Sequence, residues 1–395
     1  NTGTINADYF EDMTTGLSIR QFYKIGIAQT EDLLVSGGSQ DNGTSFYTEA
    51  GGWKDWLGAD GMETFIDKDN SNIFYGTTQF GSLYRSMNGG NSYSGISSPQ
   101  GKSGNWVTPF EQDPILPNTI YVGYNVVYKS VNRGNTWAAI SQTFPANIDN
   151  LKIAPSNSEI MYLSERGTVF RTTDGGATNW ELMAYPGGRV NDIAIHPTNP
   201  YKVALATTDG KRVVVSEDGG ETWVNYRKNL PDFSSLALVW DDNGQDGLYL
   251  GMDYGVYYID NTFDEWQPYN NLLPNVIINE LEINKTTGMI YAGTYGRGLW
   301  ASPVVSPTVG IGENTFEQEV KVYPNPAVAE VNITMPYKMT GELRMFDITG
   351  KLLKYERKAI FENTYTLDVS SIPAGVYFIR LNTSEGVAVK KLIVE

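Results

Sequence analysis

Two aspartates near the start of the chain have the chemistry for acid and base work. Asp41 sits in Gly37-Gly-Ser-Gln-Asp-Asn-Gly43 and Asp60 in Gly58-Ala-Asp-Gly61, both glycine-rich loops. A carboxylate pair meeting at an opening could serve as acid and base on a glycosidic bond. The simpler reading, in which each aspartate caps its glycine turn, is preferred. Other loops carry groups suited to holding a sugar or a peptide: Gln40, Glu165-Arg166, Asp209, Asp253-Tyr254 and Tyr295-Gly-Arg297. Repeat packing alone also explains Tyr254 and Tyr295. Asp241-Asp-Asn-Gly-Gln-Asp-Gly247 has the look of a calcium loop, but its carboxylate spacing is not that of an EF-hand. It is read as a solvated hairpin turn. No cofactor is expected, Ca2+ being the one ion to consider.

Composition removes whole classes of chemistry. The 395 residues include no Cys and a single His, His196, which excludes thiol nucleophiles, disulfides, His-based triads and multi-His zinc sites. The formal charge of −16 makes nucleic acid and anionic membranes poor partners. That acidity is lopsided: residues 1–315 hold 19 basic and 35 acidic side chains, whereas 316–395 hold 10 of each. A boundary near 310 follows. No apolar run approaches the ~20 residues of a membrane-spanning helix. The chain begins at Asn1 without a signal-peptide pattern, so a processed form or a fragment is expected.

The elements that must position these residues announce themselves by repetition. Ser86-Met-Asn-Gly-Gly-Asn-Ser-Tyr93, Ser130-Val-Asn-Arg-Gly-Asn-Thr-Trp137, Thr172-Thr-Asp-Gly-Gly-Ala-Thr-Asn-Trp180 and Ser216-Glu-Asp-Gly-Gly-Glu-Thr-Trp223 start 44, 42 and 44 residues apart. A period in this range signals stacked supersecondary units. In each copy an Asp or Asn (Asn88, Asn132, Asp174, Asp218) bonds the turn amides, Gly supplies the backbone angles, and the closing Trp packs back over its turn. An apolar strand precedes every copy, so the unit is strand, turn, strand. A degenerate copy lies at Ile259–Trp266.

These residues resemble the Asp-box (BNR) repeat of sialidase-like, xyloglucanase-like and sortilin-like β-propellers. The resemblance implies an all-β, seven-bladed propeller over residues 1–304, with blades at about 20–57, 62–97, 106–141, 148–184, 190–226, 234–269 and 276–303. The last blade offers only three strands, and a fourth is expected from Tyr9–Met13, closing the ring. His196 falls in a repeated first-to-second-strand turn, like Asp113-Pro114 and Ala154-Pro155, and is expected to be exposed. The boxes, including Trp137, Trp180 and Trp223, are structural in that family and do not identify an activity. No F/Y-R-I-P motif of sialidases is present, and xyloglucanase-like enzymes pair two propellers where this chain has one. Both departures argue against an enzyme.

Residues 305–319 read as a linker. Beyond them, short alternating strand candidates over 320–395 predict a small Ig-like β-sandwich. This tail carries Val322-Tyr-Pro-Asn-Pro326, Asp347-Ile-Thr-Gly-Lys351, Leu367-Asp-Val-Ser-Ser-Ile-Pro-Ala-Gly-Val-Tyr-Phe378 and Lys390-Lys-Leu-Ile-Val-Glu395. In that order it resembles the C-terminal sorting domain of type IX secretion substrates of Bacteroidetes, with Pro324, Asn325, Pro326, Asp347, Gly350, Lys351, Gly375, Tyr377, Lys390 and Lys391 as signal residues. The resemblance implies a secreted cell-surface protein whose partners are the translocon and an outer-membrane shuttle barrel. The propeller is expected to bind a polysaccharide or protein as an adhesion module, the alternative being a glycoside hydrolase or lyase working at its central opening.

Overall fold

Runs of Val, Ile, Leu and Tyr broken by Gly, Asn and Asp clusters fold as short strands, which over residues 22–303 bond to their neighbours in sequence within each sheet. The computed structural model describes residues 19–101, 103–270, 272–305, 316, 319–336, 338–348, 350–361, 363–383 and 386–395. The chain divides into two compact units, Asn1–Ser306 and Pro307–Glu395. Among the described residues of the first unit are six four-stranded meander sheets (22–57, 61–96, 110–139, 150–182, 190–225, 235–268) and a three-stranded one (278–303).

The first strand of every sheet packs against the first strand of the next, and Ile278–Asn284 of the last returns to Phe22–Ile27 of the first. The sheets therefore stand in a closed circle around an axis lined by their first strands. Apolar layers fill the spaces between sheets: Tyr162, Ile193, Leu205 and Val214 in one, Tyr249, Ile278, Leu281 and Ile290 in another. Ile25, Val35 and Tyr291 seal the seam where the circle meets itself. Each such side chain contributes ~1.5–3 kcal/mol when fully buried.

Asparagine amides lock the circle on one face. Asn105 Nδ2 donates to Ile148 O (3.0 Å), Asn150 to Val190 O (3.1 Å), Asn191 to Ser235 O (2.7 Å) and Asn279 to Phe22 O (2.8 Å), each reaching the following sheet. At the seam Asn284 Nδ2 adds bonds to Ala28 O and Thr30 O, and Gln29 Nε2 bonds Ile283 O at 3.0 Å. The expected closing strand at Tyr9–Met13 lies outside the described residues.

The repeated turns are braced as their residue types require. Asp218 accepts from Ser216 Oγ (2.7 Å), Thr222 N (2.9 Å) and Thr222 Oγ1 (2.6 Å), while Gly220 N donates to Ser216 Oγ at 2.7 Å. These donors hold the Asp218 carboxyl down at about 2. The tryptophans behave differently from expectation. Trp223 Nε1 does bond its own turn, at Gly220 O. Trp137, Trp180 and Trp266 instead reach the preceding sheet, at Ser97 O (3.1 Å), Ile140 O (2.8 Å) and Tyr226 O (2.9 Å). They are ties between sheets more than lids on turns. Gly176 shows how close the contact is: with φ +80°, a Cβ there would lie 2.0 Å from the same Ile140 O.

His196 is a second correction, because it is buried rather than exposed. Its Nδ1 accepts the amides of Thr198 and Asn199, the role that Asp113 Oδ1 plays toward Ile115 and Leu116 in its own turn. Its Nε2 lies 3.1 Å from Asp246 Oδ1, and its ring packs edge-on to Trp240. Burial lowers its pKa, which keeps it neutral. The Asp241–Gly247 turn is likewise less solvated than expected. Asp241 is buried and pushed up to about 6, chiefly by that burial, and Asp246 also holds Lys202 Nζ at 3.0 Å.

In the second unit one sheet orders Lys321–Tyr323, Glu330–Thr334 and Thr364–Asp368, and the other orders Leu352–Phe361, Met339–Asp347, Gly375–Thr383 and Gly386–Val394. Their facing sides bury Val331, Ile333, Leu343, Met345, Ile379 and Leu392 in one core. Phe316, inside the stretch read as a linker, is buried in that core, so the unit takes in residues before 320.

Candidate functional site

Antiparallel meanders send their second-to-third and fourth-to-first loops to one face, opposite the repeated turns. On that face a cavity of about 670 Å3 opens over the axis, lined among others by Tyr23, Lys24, Trp106, Arg189, Asp253 and Tyr295. A neighbouring recess of about 670 Å3 shares Asn105, Asp149 and Arg189 and adds Asn125, Asn147 and Arg166. The opening is ringed by aromatic surface. Tyr23 and Tyr295 lie 6.1 Å apart, the exposed Phe80 meets the exposed Trp106 edge-on at 5.3 Å, and the exposed Phe233 stacks on the exposed Tyr254 at 5.6 Å. Tyr23 donates to Gln40 Oε1 at 2.5 Å, and burial raises its pKa.

Of the residues singled out from the sequence, Asp253 and Tyr295 line the opening, Arg166 lines the recess, Gln40 stands beside the opening through Tyr23, and Tyr254 follows Asp253 in the chain. Arg297 is exposed on the turn after Tyr295 and lies outside the lining of both cavities. Asp41 and Asp60 do meet, though through a backbone amide: Asp41 N donates to Asp60 Oδ1 at 2.8 Å. That bond links the second-to-third loop of the first sheet to the loop entering the second. A related brace, within one sheet, recurs around the circle. Arg166 N donates to Asp149 Oδ2 (2.9 Å), Gly188 N to Asp209 Oδ2 (3.1 Å) and Ser234 N to Asp253 Oδ2 (3.0 Å). Each ties a second-to-third loop to the loop entering the same sheet. Asp41 and Asp60 thus sit in a turn-bracing arrangement, and of the two only Asp41 lines the adjoining shallow space of about 830 Å3, with Arg20 and Asp55.

Beneath the opening the first strands gather charge that the sequence reading missed. Lys24 pairs with Glu280, and Lys152 Nζ lies 2.6 Å from Glu111 Oε1. Asp192 accepts Ile193 N and Leu238 N, both at 2.8 Å, which offsets part of its burial; its pKa still rises to about 6. Burial in this channel raises Glu63 and Glu282 to about 8. Burial alone would lower Lys24, but Glu280 and Glu63 beside it hold it above its ordinary value. A findable signal existed: aligning the repeats puts a charged residue inside the apolar run of most first strands.

In the second unit the motif residues form one device. Asn325 grips the final strand as a neighbouring strand would, its Nδ2 donating to Lys391 O (2.7 Å) and its Oδ1 accepting Ile393 N (2.8 Å). Pro324 and Pro326 flank it, and Ala327 continues the pairing to Ile393 O and Glu395 N. Asp347 Oδ1 accepts Lys351 N across a turn in which Gly350 has φ +84°. Tyr377 is buried and donates to Pro373 O at 2.6 Å, with Gly375 leaving room beside its ring. Lys390 and Lys391, read as one signal, point to opposite faces of their strand.

Residues 321–395 match the family model of the secretion system C-terminal sorting domain. That domain marks the chain as cargo of type IX secretion, exported to the cell surface or released. Among the described residues no helix is long and apolar enough to cross a membrane. In structure the chain is similar to the GH74 xyloglucanase of Xanthomonas campestris (TM-score 0.60, 16% identity, 81% of this chain and 58% of that one). It is also similar to YCF48 bound to D1 peptide (0.55, 14%, 72% and 93%) and to YCF48 from Cyanidioschyzon merolae (0.57, 12%, 72% and 96%). Identities this low establish a β-propeller fold and nothing further. The chain spans little more than half the length of the xyloglucanase. No curated protein matches it in sequence.

Proposed function

We propose that this exported cargo is a surface-displayed binding module, a seven-bladed Asp-box propeller with an Ig-like sorting sandwich, that holds a polysaccharide at its central opening. The observation carrying the proposal is the pair of exposed aromatic contacts, Phe80–Trp106 and Phe233–Tyr254, on the face that opens over the axis. Flat apolar rings beside amides and Arg189 suit stacking and hydrogen bonding to sugar rings. The carboxylates at the opening favour binding over cleavage. Both oxygens of Asp149 are occupied, by Arg189 Nη2 and Asn105 Nδ2 on one and Arg166 N on the other. Such a module would serve surface attachment or gliding.

A protein ligand is the neighbouring reading, since a YCF48 propeller of similar length is bound to a peptide. The likeness to GH74 enzymes favours a hydrolase as the second reading, with Asp41 and Asp60 as its acid and base. Incubating the full chain with a panel of polysaccharides and peptides, scoring retention and newly formed reducing ends, separates these readings. Retention without cleavage is expected. Cleavage that disappears in the Asp41→Asn/Asp60→Asn double variant would establish the hydrolase, and peptide retention alone would establish the protein ligand.

A further inference from the structure

The two sheets of the sorting unit bury alike and face outward differently. On the three-stranded sheet the outward residues are polar apart from Tyr323, with Lys321, Glu330, Thr364, Thr366 and Asp368 exposed. On the four-stranded sheet, register sets Phe346 opposite Phe378 and Phe378 opposite Lys391, then Arg344 opposite Arg380 and Arg380 opposite Val389. Phe378, Val387, Val389 and Leu352 remain 39%, 40%, 43% and 47% exposed. A face built only to meet water gains nothing from such residues, and contiguous exposed apolar surface marks an interaction site. Arg380 and Lys391 are exposed within it, and Arg344 is held by Glu342 at 2.9 Å.

We infer that this outer face is the surface by which the sorting domain is read, and that its partner is a protein of the secretion machinery presenting acidic and apolar groups. The inference rests on the cargo reading. Charge argues for the partner's sign. Residues 1–315 carry 35 acidic against 19 basic side chains, so an acidic receptor is disfavoured by the propeller stretch and favoured by the exposed Arg380 and Lys391 of this face. Asn325 is a positioning residue for it. By gripping Lys391 O and Ile393 N, it holds the strand that carries Val387, Val389 and Lys391 in register.

The test uses the full chain in a type IX-competent host, with protein counted in periplasm, at the surface and in the medium. Four forms are compared: Phe378→Ser/Val389→Ser, Arg380→Glu/Lys391→Glu, a control Lys321→Glu/Thr366→Glu on the opposite sheet, and deletion of 321–395. Either face variant is expected to lower the exported fraction about tenfold, with an unchanged melting temperature for the charge reversal and normal export for the control. If the deletion blocks export while both face variants travel normally, the face is not the reading surface and the cargo reading stands. If the deletion travels normally, the cargo reading itself fails. Should the face variants split a dimer in sedimentation yet export normally, the face serves self-association and the inference is overturned.

Discussion

Trp180 and Trp266 are 3% and 1% exposed and tie one sheet to the next through their indole nitrogens, whereas Trp223 stays half-buried over its own turn. Replacing Trp180 or Trp266 with Ala should therefore cost ~3–5 kcal/mol. Asp218→Ala removes only a turn cap and should cost ~1 kcal/mol. Chemical denaturation of the variants decides the order, and a costlier Asp218→Ala would undo this picture of the repeat. Charge in the channel makes a second residue-scale prediction. Glu63 and Glu282 titrate near 8 in the folded chain, against an ordinary value of ~4.3. Their protonated forms are favoured by folding, so that stability is full below ~4.3 and is lost as pH rises to about 8. Glu63→Gln/Glu282→Gln should flatten the fall in melting temperature between pH 5 and pH 8; an unaltered slope would place its cause elsewhere. The repeated turn was legible because its Asp, Gly and Thr bond one another within a few residues. The direction of each Trp and the burial of His196 were not, because both depend on the adjacent sheet, roughly 40 residues away in sequence.

At the scale of elements, the circle closes through side chains as well as strands. Asn284 is buried and spans the seam to Ala28 O and Thr30 O. Asn284→Ala leaves those carbonyls without their partner and should cost ~1–3 kcal/mol in denaturant unfolding. Alongside Leu299–Pro303, the outer described strand of the last sheet, runs an apolar groove of about 540 Å3 lined by Ile19, Trp53, Tyr291 and Trp300. This edge is where the closing strand expected from the sequence, outside the described residues, is to be tested. Deleting residues 1–18 should lower the melting temperature and promote aggregation through the uncovered edge. An unchanged melting curve would leave closure to the Asn279, Asn284 and Gln29 clamps. Strand positions were readable because period-two runs end at turn residues. Which inner-strand charges meet was not, since the ring brings Lys24 and Glu280 together from opposite ends of the repeat series.

The whole molecule joins two units with different demands. The sorting unit was legible from its motifs, because Asn325, Gly350 and Tyr377 each fill a local geometric need. The opening was harder to read, since Tyr23, Trp106, Tyr254 and Tyr295 come from separate sheets and share no spacing. Their assembly supplies the central claim, that the propeller binds a ligand at this face without cleaving it. Calorimetric titration of the best-retained panel ligand into the wild-type chain and the Trp106→Ala/Tyr254→Ala variant tests that claim most directly. Affinity should fall about tenfold or more, with the melting temperature kept and the ligand recovered whole. Equal affinity in the two proteins, or a ligand recovered in fragments, would contradict the account.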